Sequence, residues 1–135
     1  MSGSALGAIQ TAVYAALTGD RALMALVRSV RDEITEDAPF PYVTIGDATE
    51  LPFDSFAEYG SDATLTLHVW SRGKGFKEAQ AITHRLIQLL DNNTGLAVAG
   101  LTTVLLNKEM TETLREQDGI TRHVIVRFRI ITDGL

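Results

Sequence analysis

Two rhythms of apolar and polar residues run along this chain, and they separate helices from strands. Between Ser4 and Leu17, the residues Leu6, Ile9, Val13 and Leu17 recur at helical spacing among many alanines. That spacing predicts a helix over 4–17, with Ser2 or Ser4 available to cap it. Thr18-Gly19 interrupts the rhythm, and Asp20 is placed to cap a second short helix, 21–27, with Leu23, Met24 and Val27 on one side. The clearest helical stripe is Ala79, Ile82, Leu86 and Leu89/Leu90, which predicts an amphipathic helix over 76–90. Lys77, Glu78, Gln80, His84 and Gln88 form its wet face. Asp91-Asn92-Asn93-Thr94-Gly95 stops it.

Elsewhere the period is two. Leu65, Leu67 and Val69 alternate with Thr64, Thr66, His68 and Trp70, which marks a strand over 63–71. Shorter strands are expected over 30–34 and 42–50. Pro39, Pro41 and Pro52 bracket the second of these, as suits an edge or a strand start. The chain closes with a hairpin of strands 103–114 and 120–132, joined through Asp118-Gly119. In its last strand Val124, Val126, Phe128 and Ile130 point one way, and Ile125, Arg127, Arg129 and Ile131 the other. Strands of roughly 12 residues extend ~40 Å at ~3.3 Å per residue, longer than the usual ~5–6 residues. Such a hairpin spans or overhangs its own domain, and its free edge calls for a neighbour.

These elements predict one α+β domain over 1–135. It is mainly an antiparallel β-sheet with two N-terminal helices and one main helix packed on it, ending in the long C-terminal β-hairpin. A composition of 45% hydrophobic and 21% charged residues is that of a globular protein with its own core. The absence of cysteine excludes disulfides, thiol nucleophiles and cysteine-ligated metals. The N-terminus does not read as a signal peptide, and no apolar run is long enough for a membrane span, so no membrane association is expected.

Charge is segregated. The net value is −5, yet Asp32 to Asp62 holds nine acids and no Lys or Arg, and the rest of the chain is net +4 (−9 + 4 = −5). Either the acids are ordinary solvated loop positions, or one acidic and one basic side favour head-to-tail self-association. Within that stretch Phe53, Phe56 and Tyr59 lie among Asp54, Ser55 and Glu58. They either roof the core or form an aromatic patch that needs a partner.

Catalytic and ligand-binding patterns are missing. His68, His84 and His123 have no zinc-like spacing, so neither a metal nor another cofactor is expected. Gly73-Lys74-Gly75 lacks the Ser/Thr and the upstream glycine of a phosphate loop. Asp32, Glu33, Glu36 and Asp37 fit no calcium loop: the turn glycine and terminal glutamate are missing from the proline-containing stretch that follows them. No nucleophile, base and orienting group can be assembled, so catalysis is not supported. Arg122, Arg127 and Arg129 are too few in an acidic chain for a nucleic-acid footprint, and a salt-bridge surface suits them better.

Several stretches carry a family resemblance. They are Ala12-Val13-Tyr14-Ala15-Ala16-Leu17-Thr18 with Asp20, Leu23 and Leu26-Val27, and Ala38-Pro39-Phe40-Pro41-Tyr42-Val43-Thr44-Ile45-Gly46. Thr66-Leu67-His68-Val69-Trp70-Ser71-Arg72 with Gly75 follows, then Asp118-Gly119, Arg122-His123 and Val126-Arg127-Phe128-Arg129. In order and over nearly the whole chain, these resemble the tail-completion (tail-terminator, head-to-tail joining) proteins of long-tailed bacteriophages, prophages and gene transfer agents. The resemblance implies a structural virion protein at the tail–head neck, assembled in the bacterial host cytoplasm. Its copies would form a homo-oligomeric ring, a hexamer, that caps the tail tube protein and meets the head connector or head-closure protein. DNA would pass through the lumen without specific binding. Another neck protein, such as a head-closure subunit, is the nearest alternative, and a small ligand-binding domain the next. Asp47, Glu50, Phe53, Asp54, Phe56, Tyr59, Arg122, Arg127 and Arg129 are the candidate subunit or partner interface.

Overall fold

The computed structural model describes residues 3–33, 35–55 and 58–135. Three helices, α1 (Leu6–Thr18), α2 (Arg21–Met24) and α3 (Lys77–Leu90), accompany five strands. The strands are β1 (Ser29–Arg31), β2 (Tyr42–Pro52), β3 (Gly60–Ser71), β4 (Thr102–Arg115) and β5 (Arg122–Asp133). They form one sheet in the order β1-β2-β3-β5-β4, antiparallel except for the parallel β1–β2 pair. The α+β, mainly antiparallel reading of the sequence holds.

The period-two strands bury one face against the helices; the other, the open face, points away from them, though Tyr42, Thr44, His123 and Ile131 are buried there too. Val43, Ile45, Leu65, Leu67, Val69, Val124, Val126, Phe128 and Ile130 meet Ile9, Val13 and Leu17 of α1, Leu23 of α2, and Ile82, Leu86 and Leu90 of α3. Both faces of β5 point as the alternation requires, because β3 pairs with it without a register break from Gly60↔Asp133 to Ser71↔Arg122. Polar side chains hold the helices in place. Asp20 Oδ2 accepts the Leu23 N–H at 2.8 Å, capping α2 as expected, and its carboxylate receives Arg85 of α3 at 2.7 and 2.9 Å.

Several expectations change. Leu6 N donates to Ser4 Oγ at 3.2 Å, yet α1 begins on a carboxylate from the sheet, since Ala5 N donates to Glu50 Oε2 at 2.8 Å. A long-range acid therefore supplements the local serine at the helix N-terminus, where a negative charge is favoured. The second helix ends at Met24, three residues early, and is followed by a tighter turn from Leu26 N and a single α-type turn from Val27 N, both to the Leu23 carbonyl. The first strand covers Ser29–Arg31 and not 30–34; Ile34 lies outside the described residues. The C-terminal hairpin does not overhang. β3 extends back to Gly60, three residues before the expected start, so it matches β5 in length and makes β5 an inner strand. Among the described residues β4, at one end of the sheet order, has a long edge with no strand beside it.

One row crosses the whole sheet: Val30, Val43, Val69, Val124 and Thr113 are successive partners from β1 to β4. Four are buried valines; Thr113, at the edge, is exposed.

Candidate interaction surface

The sheet face opposite the helices carries two ion pairs and a band of hydrogen-bonded rings. Arg129 donates to Asp62 through Nε (2.9 Å) and NH2 (2.7 Å), a forked pair across β5 and β3. The guanidinium holds the Asp62 carboxyl below its ordinary value, against the opposing effect of burial. Arg127 Nε lies 3.2 Å from Glu109 Oε1 of β4. Both arginines are thus engaged in salt bridges within the chain.

Farther along that face, rings stack in a band. Trp70 lies on His123 with centroids 3.8 Å apart and planes 12° from parallel, and its Nε1 donates to Thr44 Oγ1 at 3.1 Å. His68 Nδ1 and His123 Nε2 share a hydrogen bond of 2.7 Å, and His123 Nδ1 meets Glu116 Oε1 at 2.8 Å. Burial, then the neighbouring His123, lowers the His68 pKa. Sequence reasoning left these histidines apart because they are 55 positions distant; only the β3–β5 register brings them together. Gly46 allows this: a Cβ there would lie 2.7 Å from His68 Nε2.

The acidic segment is divided by the fold. Asp47 lies in the irregularity between Ile45 and Ala48 of β2. Glu50 turns to the helix side, under α1. Burial opposes its ionisation, but hydrogen bonds from Ser61, Ala5 and Ser4 outweigh that and keep its carboxyl below the usual value. Asp54 Oδ1 accepts from Gly60 N at 3.2 Å, closing the β2–β3 connection with Phe53 N→Gly60 O (3.1 Å) and Ser55 N→Glu58 O (2.8 Å). At that connection Leu51, Phe53 and Tyr59 are 65%, 42% and 43% exposed. They do not roof the core. Phe56 lies outside the described residues.

The opposite end of the sheet is tied by Asp118 and Arg122. Asp118 Oδ1 accepts from Ile120 N and Thr121 N, both at 2.8 Å, and Oδ2 accepts from Thr121 Oγ1 at 2.7 Å. Arg72 Nε donates to Thr121 Oγ1 at 3.1 Å, fastening the turn to the end of β3. Arg122 NH1 donates to the Gly119 and Ile120 carbonyls, and its guanidinium lies 5.5 Å from the Phe76 ring centre. Arg122 is thus a turn brace.

The Thr121 and Ile120 bonds pull the Asp118 pKa down to about 2. A depressed carboxyl stabilises the fold above its unfolded value, ~3.9, and loses that contribution as pH falls through the folded value. Thermal melts should therefore show the natural chain losing stability between about pH 4 and pH 2. Asp118→Asn should flatten that part of the profile; equal slopes for both proteins would reject the assignment.

Among the described residues no group of three or more His, Cys, Asp or Glu side chains is arranged to hold a metal. The surface offers flat contact area, paired charge and a strand edge.

Comparison with known proteins agrees with that character. The family model described as tail completion protein gp17 matches residues 11–133. A relative, the tail completion protein gp17 of Bacillus phage SPP1, is 33% identical over 122 residues, 90% of each chain. A chain from the virion of a native gene transfer agent particle superposes with a TM-score of 0.87 at 25% identity, covering 98% of this chain and all of that one. The structure of bacteriophage SPP1 gp17 aligns with a TM-score of 0.63 at 32% identity, over 91% of this chain and 87% of that one.

Proposed function

The chain belongs to the family of tail completion protein gp17, and from that premise we propose that six copies close into a ring capping the tail tube and joining it to the head connector. The role is structural: the ring ends tube growth, offers a docking surface to the head, and leaves a lumen for DNA. Its place is the tail–head neck of the virion, reached after assembly in the bacterial host cytoplasm. The observation that carries this reading is the near-complete superposition on a chain of a gene transfer agent virion. A family match spanning 11–133 supports it.

The molecule's two ends suit two different axial partners. Leu51, Phe53 and Tyr59 stand exposed at one end of the sheet, with Asp54 beside them. Ile120, 60% exposed, stands at the other, on the braced turn. Tube and connector would each take one end, and the strand edges would be left for neighbouring copies.

Deleting the gene and imaging the particles by electron microscopy tests this reading. The expected products are overlong tubes and separate, unjoined heads, corrected when the chain is supplied in trans. Tails of normal length beside filled heads that leak DNA would instead assign the chain to head closure.

A further inference from the structure

We propose that neighbouring copies join through their sheets, β1 of one copy adding antiparallel to residues 111–115 of β4 in the next. The inference rests on the ring reading above and names the contact that would build the ring.

The free edge of β4 is not open along its whole length. Near its start, the loop after α3 covers it: Asn92 N donates to the Leu106 carbonyl at 2.7 Å, and Lys108 N donates to Asp91 Oδ1 at 2.8 Å. Beyond the irregularity at Lys108/Met110 the cover ends, and Thr111 to Arg115 are all exposed. Glu116 N bonds inward to the Thr121 carbonyl. By the alternation of an antiparallel ladder, Thr111, Thr113 and Arg115 then turn their N–H and C=O groups outward. Edges like this are normally blunted or paired.

The opposite edge of the sheet fits that opening. β1 is level with it, since Val30 and Thr113 end the same cross-sheet row. Carried across the ladders, the alternation turns the Val30 N–H and C=O away from β2. Both Val30 and Thr113 place their side chains on the helix side. Strand directions alternate from β2 to β4, so a copy set beside the first in the same orientation presents its β1 antiparallel to β4. Backbone polarity, side-chain face and strand direction therefore agree in one register, Thr113 opposite Val30.

That register places Glu112 opposite Arg31 and Leu114 opposite Ser29, both on the open face. Among the described residues neither Glu112 nor Arg31 has an ion-pair partner; Arg31 reaches only the hydroxyls of Ser29 (2.8 Å) and Thr35 (3.0 Å). Opposite charges directly across strands are favourable. An open groove of about 620 Å³, lined by Gln10, Tyr14, Val30 and Arg31 among others, runs beside β1 and gives an incoming strand room. The contact joins two different patches, so it repeats from copy to copy and can close a ring.

The chain has no cysteine, which makes the test clean. Ser29→Cys with Leu114→Cys occupies a non-hydrogen-bonded pair, where Cα atoms ~4.5 Å apart allow a disulfide. Particles carrying this double variant in place of the natural chain, once oxidised, should yield covalent multimers of this chain on non-reducing gels. Thr113→Pro removes one outward N–H while sparing the bonds to β5, and should leave the thermal melt unchanged but lower ring-bearing tails at least tenfold. Glu112→Arg should also weaken rings, and adding Arg31→Glu should restore them. The proposal is overturned if rings persist with Thr113→Pro and no chain-to-chain disulfide forms, or if the thiol introduced by Leu114→Cys is captured by a tube or connector protein carrying its own thiol. Tails bearing the natural chain without any ring would overturn the ring reading itself.

Discussion

Gly60→Ala is expected to cost about 3 kcal/mol, the upper part of the ~1–3 kcal/mol range for overpacking a tight site, and to lower Tm by roughly 10 °C. A Cβ at this first residue of β3 would collide with the Phe53 carbonyl oxygen and approach the Thr132 carbonyl and Asp133 Oδ1, each at 2.9 Å. Two of these three atoms are backbone, on the segments to either side of β3, so no rotamer change relieves them. By contrast, a Cβ at Gly46 meets chiefly the imidazole of His68. Relief at Gly60 requires β3 to part from the end of β2, breaking Phe53 N→Gly60 O or Gly60 N→Asp54 Oδ1, or to part from β5, where Gly60 pairs with Asp133. The C-terminus would loosen as well, because Gly134 N and Leu135 N both donate to the Tyr59 carbonyl. Gly7→Ala is the matched control: nothing lies within 4 Å of a Cβ there, and alanine favours helix. A thermal melt of Gly60→Ala within about 2 °C of the natural chain would show that the connection yields easily, against the packing just described.

Gly60 also marks where the sequence stopped being legible. The alternation of Leu65, Leu67 and Val69 marks a strand from Ala63, and Gly60-Ser61-Asp62 before it are turn-forming residue types. They pair instead with Asp133, Thr132 and Ile131. A local reading weighs each residue's own preference, while here a finished neighbour strand supplies the hydrogen bonds that override it. With β3 running its full length beside β5, the hairpin spans the domain and does not overhang it. Where periodicity alone decides, the reading was sound: the buried sets of β3, β5 and α3 fall on the expected faces. Alternation tells which face a residue takes, not which strand lies beside it. The Glu50 contact with Ala5, the Arg129–Asp62 fork and the His68–His123 bond span 45, 67 and 55 positions, so none could be read before the strand order was known. The same limit applies to the candidate interface. Phe53 and Tyr59 were picked for being apolar in an acidic segment, and they are exposed; Glu50, Arg122, Arg127 and Arg129 were picked for charge, and the fold engages each internally.

Replacing Leu51, Phe53 and Tyr59 together by serine is expected to reduce particles with joined heads and tails by about 100-fold or more while leaving the subunit folded. Each side chain keeps over two-fifths of its surface in solvent, so the fold derives little from it. Surface changes of this kind usually alter stability by less than ~0.5 kcal/mol each. Burial against a tube or connector is another matter, because covering a large apolar side chain is worth ~1.5–3 kcal/mol. Interface energy concentrates in a few such anchors, and losing two at ~2 kcal/mol each already weakens binding several hundredfold. Asp54 and Glu58, the polar rim of the same connection, should matter less, since exposed charges contribute ~0–1 kcal/mol. The comparison that decides is between joined particles counted by electron microscopy and rings counted on isolated tail ends. Rings present but heads unattached would make this end the connector's dock; rings missing from the tube would make it the tube's. Natural numbers of joined particles would remove the exposed triad from the neck's contacts altogether.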